Sequence, residues 1–160
     1  MSKFTTVTLR KIEPADLETF YVQQLDPEAN RMAAFVHKDP ADKSAFHAHW
    51  AKVLALPRVT NRTILADGQI AGHIACFPDG DHMEVTYWLG REFWGRGVAT
   101  SALRQLLDLI TIRPMFGRTA CDNGGSLRVL QKCGFQIIGQ DKGFAHGRNA
   151  DTEEYILRLD

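Results

Sequence analysis

The sequence has no Cys-x-x-Cys pair, no block of like charge and no apolar run near the roughly 18 residues that cross a bilayer. Its three cysteines, Cys76, Cys121 and Cys133, are odd in number and scattered. That pattern argues against a secreted disulfide framework and against a zinc ribbon, and no metal is expected. It fits small apolar side chains in a reducing compartment. Met1–Arg10 lacks the uninterrupted apolar core of a secretory leader, so a cytoplasmic protein with no membrane segment is expected. The 19 basic and 19 acidic residues cancel, with nine of each sign up to residue 80 and ten of each beyond it. Without a basic excess, neither a grip on nucleic-acid phosphates nor long-range steering of a charged macromolecule is expected. The balance points to a small or neutral partner. No repeat, low-complexity tract or Pro/Gly/Ser linker divides the 160 residues, so residues 1–160 are expected to form one domain.

Turn and period signals mark out the elements. Thr6–Arg10 alternates like a strand. Pro14 suits the first turn of a helix that carries Leu17, Phe20 and Tyr21, and a helix-turn segment follows over residues 27–35. Asp39-Pro40 reads as a cap and first-turn proline for a helix with Phe46, Trp50, Val53 and Leu54 on one face, stopped by Pro57. Residues 60–66, 70–77 and 83–89 are β-rich runs, the first two joined by Asp67-Gly68, a strong hairpin signal. Residues 97–112 show Val98, Ala102, Leu106 and Ile110 at helical spacing, with Pro114 beyond. A strand over 115–121, a helix over 123–132 and a strand over 135–139 come next. A polar stretch over 141–151 reads as a loop, and the last strand covers 154–159. The strand–helix–strand crossover after residue 89 requires a parallel pair, so the order predicts a mixed α/β sheet with helices on both faces.

Residues 87–100, Tyr-Trp-Leu-Gly-Arg-Glu-Phe-Trp-Gly-Arg-Gly-Val-Ala-Thr, hold the densest information. A strand ends, a loop turns and a helix opens on glycine, where unpaired N–H groups and the helix dipole suit a phosphate or pyrophosphate. The alternative is that Gly95 and Gly97 only turn a corner. A P-loop would need Lys-Ser or Lys-Thr after Gly97, where Val98-Ala99 stands. A dinucleotide fingerprint would need a glycine at Thr100 and an acid near residues 117–119, and neither is present.

Trp94-Gly95-Arg96-Gly97-Val98-Ala99 resembles the Arg/Gln-x-x-Gly-x-Gly/Ala motif of the GNAT acyl-CoA N-acyltransferase superfamily. Residues 84–89 and the block from Asn123 to Phe135 resemble the branch that contains ribosomal-protein N-terminal acetyltransferases, and the element order agrees over the whole chain. Trp94 replaces the first Arg or Gln of the motif, as in that branch. The resemblance implies an about seven-stranded, mostly antiparallel sheet with a splayed parallel pair at the fourth and fifth strands. It implies acetyl-CoA as cosubstrate and a primary amine as acceptor. In that picture the N–H groups over Gly95, Arg96, Gly97, Val98, Ala99 and Thr100 hold the pyrophosphate. Trp88 and Leu89 pair with the pantetheine amides, and Asn123 and Ser126 look into the gap between the splayed strands. Dimers occur in the branch, so a homodimer is compatible with it.

The chemistry needs a free amine. A lysine-like amine is neutral in only about 0.04% of molecules at pH 7 and an α-amine in roughly 10–17%, so a base helps the former more. Glu84 is the leading base, sharing a strand face with Thr86 and Trp88; it could equally be a solvated carboxylate. His73 and His82 are runners-up. A backbone N–H near Leu89 suits the oxyanion. The tyrosine that some relatives carry seven residues after the asparagine is Leu130 here. Ser126 then either protonates the departing thiolate or positions the sulfur, and Asn123 caps its helix as well or instead. Cys121 and Cys133 have no activating base nearby in sequence, which favours direct attack over an acyl-cysteine. The aromatic residues Phe20, Tyr21, Phe35, Phe46 and Trp50 read as core stripes. The 141–151 stretch, with Phe144, His146 and Arg148, either overhangs the acceptor mouth or is an ordinary hairpin end. Two other classes remain open: a coenzyme A-binding regulatory domain without turnover, and an unrelated nucleotide-phosphate module.

Overall fold

The computed structural model describes residues 4–160, so the beginning of the segment inspected for a leader lies outside the described residues. Seven strands and five helices alternate as β1 (Val7–Arg10), α1 (Asp16–Gln24), α2 (Pro27–Ala33), α3 (Lys43–Ala55), β2 (Thr60–Ala66), β3 (Gln69–Asp79), β4 (His82–Leu89), α4 (Val98–Leu109), β5 (Met115–Ala120), α5 (Gly124–Lys132), β6 (Gln136–Ala145) and β7 (Ala150–Leu159). The sheet order is β1-β2-β3-β4-β5-β7-β6, antiparallel throughout except for β4 with β5.

Helices cover both faces, as the crossover required. On one side α4 lays Val98, Ala102, Leu103 and Leu106 against Ile74, Cys76 and Val85, all buried. On the other, α1 and α3 form a smaller core of Phe20, Phe46 and Trp50. Asp67-Gly68 makes the β2–β3 turn with both residues at positive φ, 47° and 82°.

Four expectations are corrected. Helix α1 starts at Asp16, with Pro14-Ala15 in the preceding turn, because the N–H of Asp16 bonds the Glu13 carbonyl and its carboxylate accepts the Glu13 N–H. Helix α3 is capped by Asp42, whose side chain accepts the Ala45 N–H, while Asp39-Pro40 forms the turn before it; Leu54 faces outward, 48% exposed. Helix α4 ends at Leu109, before a cis Arg113–Pro114 bond. The 141–151 stretch is mostly strand: β6 and β7 run past it on both sides and leave a turn at residues 146–149. β6 is an edge strand exposed along almost its whole length, so it lacks the apolar alternation by which strands are read.

Register around β4 is tightly constrained. The β2–β3 register shifts between Ile64 and Leu65, which pair with Gly72 and Ile70, so Ala71 of β3 is the extra, bulged residue beside Gly72. A Cβ built on Gly72 would lie 1.9 Å from the Trp88 carbonyl oxygen. Gly72→Ala is therefore expected to push β3 from the end of β4 and to cost about 1–3 kcal/mol, read as a lowered denaturant midpoint with unchanged m-value. An unchanged midpoint would show that the contact relaxes without strain.

Candidate active site

The gap in the sheet begins early. β4 and β5 pair only at Met83 with Met115 and Glu84 with Phe116. Beyond that point β4 stays with β3 as far as Leu89, and β5 stays with β7 as far as Ala120. The β5-facing edge of residues 85–89 is thus left without its ladder partner, a place where an extended amide chain can pair.

At the end of β4 the chain turns through residues 91–93 and enters α4. Gly97 is the N-cap at φ 81°, and Gly95 precedes it at φ 69°, both left-handed positions that favour glycine. No side chain caps α4, and its first bond outside the helix interior runs from the Ser101 N–H to the Gly97 carbonyl. The N–H groups of Val98, Ala99 and Thr100 point out of the N-terminus with the helix dipole behind them, an anion cradle. Trp94 fixes this corner, its indole N–H donating to the Leu89 carbonyl at 3.1 Å. The Arg96 guanidinium bonds the Glu92 carbonyl and lies over the Phe4 ring.

Across the gap stands α5. Asn123 is its N-cap: the side-chain oxygen accepts the Ser126 N–H at 3.2 Å, and the amide nitrogen donates to the Met32 carbonyl. Ser126 meets Tyr87 of β4, hydroxyl to hydroxyl, at 2.8 Å. Burial pushes the Tyr87 phenol up to about 12, against the lowering by its bond to Ser126. This partner of Ser126 is absent from the sequence reading. Its signal was there: in an alternating strand Tyr87 shares the α4–α5 face with Val85 and Leu89.

Glu84 sits where the strands part, on the opposite face. Burial raises its carboxyl to about 7; Arg118, 3.6 Å away, pulls it back, and Asp79 and Glu154 push it further up. Arg118 also bonds Glu154 at 2.7 Å and Asp141 at 3.2 Å, so three carboxylates share one guanidinium. A carboxyl that titrates near 7 is matched to base catalysis at neutral pH.

On the same sheet face a cavity of about 490 Å³ has Trp88 and His73 at the sheet, the 35–40 segment on one side and His146 on the other. Glu84 is not in its lining; it lies four residues before Trp88 along β4. His73 packs between the rings of Phe20 and Trp50, and burial drives its imidazole down to about 3, too low for a base at neutral pH. His82 stacks on Phe116 with ring centres 4.1 Å apart. Phe20, Phe46 and Trp50 are core residues as expected, but Trp50 and the 39%-exposed Phe35 also line the cavity. His146 of the β6–β7 turn is the one residue of the 141–151 stretch in its lining. Arg148 clamps that turn with two 2.8 Å bonds to Asp122 and one to the Arg31 carbonyl, while the Gly147 N–H bonds the Ala34 carbonyl at 2.8 Å. Burial raises the thiols of Cys76 (to about 11), Cys121 and Cys133, which keeps them protonated. Among the described residues no cluster of His, Cys, Asp and Glu has metal-ligand geometry, and no helix is long and apolar enough to cross a membrane.

Residues 6–136 match the acetyltransferase (GNAT) domain family. The chain belongs to the GNAT family of acetyltransferases. Solved structures that this acetyltransferase resembles include Mycobacterium smegmatis RimJ in complex with CoA-disulfide, with 19% identity, a TM-score of 0.81 and coverage of 96% of this chain and 81% of that one. Spermidine N-acetyltransferase from Vibrio cholerae in complex with CoA and spermine gives 16% identity and a TM-score of 0.78 over 95% of each chain. RimL, a ribosomal L7/L12 α-N-protein acetyltransferase in complex with coenzyme A, gives 19% identity and a TM-score of 0.77 over 95% of this chain and 93% of that one. This acetyltransferase shares its overall fold with all three.

Proposed function

We propose that the protein moves an acetyl group from acetyl-CoA to a primary amine by direct attack in a ternary complex. The observation that carries this reading is the opening between β4 and β5, which leads from the anion cradle of α4 to Glu84. The N–H groups over residues 95–100 hold the pyrophosphate, joined by the side of Arg96. The β5-facing backbone edge over residues 85–89 pairs with the two uncharged pantetheine amides, and a backbone N–H at this strand end receives the carbonyl oxygen. Acetyl-CoA supplies a thioester whose thiolate is a good leaving group.

Glu84 accepts a proton from the incoming ammonium, directly or through water. The amine nitrogen then bonds to the acetyl carbon, the carbon–sulfur bond breaks, and the second proton that the nitrogen sheds as the amide forms passes to the thiolate. Ser126, oriented by Tyr87 and by the Asn123 cap, is placed to donate that proton or hold the sulfur. The raised cysteine thiols favour direct attack, since no thiolate is prepared to carry the acetyl group. The neighbours act on a ribosomal protein N-terminus in one case and carry spermine in another, so both kinds of amine belong in the first panel.

Calorimetry with acetyl-CoA, followed by thiol release with an amine panel, tests the reading. Saturable binding and amine-dependent release are expected. Failure to bind acetyl-CoA, or tighter binding of ATP than of coenzyme A, would refute it. A second test concerns Ser126. Ser126→Ala and Tyr87→Phe are each expected to reduce kcat severalfold with unchanged affinity for acetyl-CoA, and the double variant no further, because the two hydroxyls act as one unit. Additive losses would separate their roles.

A further inference from the structure

One wall of the cavity beside Trp88 is the 35–40 segment, which supplies Phe35, Val36, His37, Lys38 and Pro40 and forms neither helix nor strand. The wall is anchored at both ends. At the far end the Gln24 amide donates to the Pro40 carbonyl at 2.8 Å, and the Tyr21 hydroxyl donates to the Ala41 carbonyl at 2.6 Å. The near end springs from α2, a helix of seven residues, shorter than the roughly 12 that an isolated helix needs in water.

The last carbonyls of so short a helix need donors from elsewhere. The Phe35 N–H closes a γ-turn onto the Ala33 carbonyl at 2.7 Å, which holds Ala34 at φ 65° and ψ −59°, a strained setting for a residue with a Cβ. Three neighbouring carbonyls are taken by groups far along the chain. Arg148 donates from Nε to Arg31, the Asn123 amide donates to Met32 at 3.2 Å, and the Gly147 N–H donates to Ala34 at 2.8 Å. Arg148 is itself locked, because its two terminal nitrogens bond both carboxylate oxygens of Asp122 at 2.8 Å. Gly147 is required by space: a Cβ there would lie 2.1 Å from the Asn30 carbonyl oxygen. The tip of the last hairpin thus holds the strained end of α2 in place, and the cavity wall starts at the next residue.

In the acetyltransfer reading the thioester carbonyl sits at the end of β4, so the amine approaches beside Trp88, where this cavity lies. We propose that Arg148 is a positioning residue for the acceptor: it latches the β6–β7 turn to α2 and keeps the 35–40 wall in the shape that the amine meets. The proposal rests on that reading and adds to it a residue outside the cavity lining. An unlatched wall has to be ordered by the amine itself, so the apparent affinity falls with the fraction of molecules in which the wall is set. Acetyl-CoA, held by α4 and the edge of β4, is indifferent to it.

The test follows acetylation of spermidine and of a peptide with a free α-amine, together with calorimetry of acetyl-CoA and hydrogen exchange of the unliganded protein. Arg148→Ala is expected to raise the amine KM at least about fivefold while kcat and the acetyl-CoA Kd stay within about twofold. Exchange should quicken over residues 33–40 and stay unchanged in α4. Arg148→Lys, which keeps one charged donor, should recover part of the affinity. Gly147→Ala, which pushes the turn off α2 with Arg148 still present, should repeat the rise in KM. A residue that merely stabilised the fold would leave fewer active molecules, read as a lower kcat at unchanged KM. That result, a loosened wall with an unmoved KM, or an acetyl-CoA Kd that rises in step with KM would each overturn the proposal. The unaltered protein separates the two failures: if it neither binds acetyl-CoA nor acetylates an amine, the transfer reading falls and the latch with it, whereas normal turnover there with an unmoved KM in the variants sinks only the latch.

Discussion

Glu84→Gln is expected to lower turnover of a strongly basic amine by about a hundredfold or more, the usual contribution of a positioned base. The loss should be smaller for a weakly basic α-amine, which is already partly deprotonated at neutral pH. In the unaltered enzyme the rate should climb with pH as the carboxyl ionises around 7. That limb should vanish in Glu84→Gln, and in Arg118→Met it should move upward, because the guanidinium is what draws the carboxyl back down. Stability should respond with the opposite sign. The folded protein holds the Glu84 proton more tightly than the unfolded chain, so stability falls as pH rises from about 4.5, the ordinary value, to about 7. Glu84→Gln escapes this fall and should melt higher than the parent at pH 8. Full activity on both amine types would remove Glu84 as the base.

The second large effect lies far from the chemistry. Asp16 is 2% exposed and gathers Arg10 through two bonds of 2.7 and 2.9 Å, the Thr63 hydroxyl at 2.6 Å and the Glu13 N–H at 2.9 Å. It thereby ties the end of β1, the start of α1 and the middle of β2 together. Burial alone would raise its carboxyl, but the bonds from Arg10, Thr63 and Glu13 outweigh burial and hold it at about 2. Asp16→Ala leaves the Thr63 hydroxyl buried without a partner and strips Arg10 of its two short carboxylate bonds, leaving it the Lys11 carbonyl and Glu13 at 3.9 Å, for a loss of about 3 kcal/mol, towards the lower bound for a broken buried pair because Arg10 is partly exposed. On a chain of this size the melting temperature should drop by roughly 6–12 °C. Because the folded value lies below the ordinary one, the contribution is complete above about pH 4 and disappears as pH falls through about 2. A drop under 2 °C would mean that water replaces the carboxylate.

Which parts of this architecture can be read from the chain follows from where the information lies. The β2–β3–β4 meander and α4 are local: Asp67-Gly68 specifies one turn, and a repeat of four apolar residues specifies the buried face. The glycine-opened helix is legible for the same reason. The affinity of Glu84 for its proton is not, since Arg118 and Glu154 come from β5 and β7, more than thirty residues downstream. Asp16 reads as an ordinary first-turn acid until Thr63 arrives from another strand. The cap of α3 is ambiguous because Asp39 and Asp42 are both good capping residues, and only the backbone decides between them. The histidine-lined cavity is the least legible, being assembled from α1, α2, the 35–40 segment, α3, β3, β4 and the last hairpin.

The placement of β7 between β5 and β6 has a consequence for how the enzyme is born. Synthesis proceeds from the amino end, so every other strand has left the ribosome while β5 and β6 still lack the neighbour that joins them. Until that ribbon slides in, the nascent protein shows two naked hydrogen-bonding borders, and the wall bearing His146 is not yet in place. Chains truncated near residue 148 should therefore be protease-sensitive and prone to clump, with resistance arriving abruptly as residues 150–159 are restored.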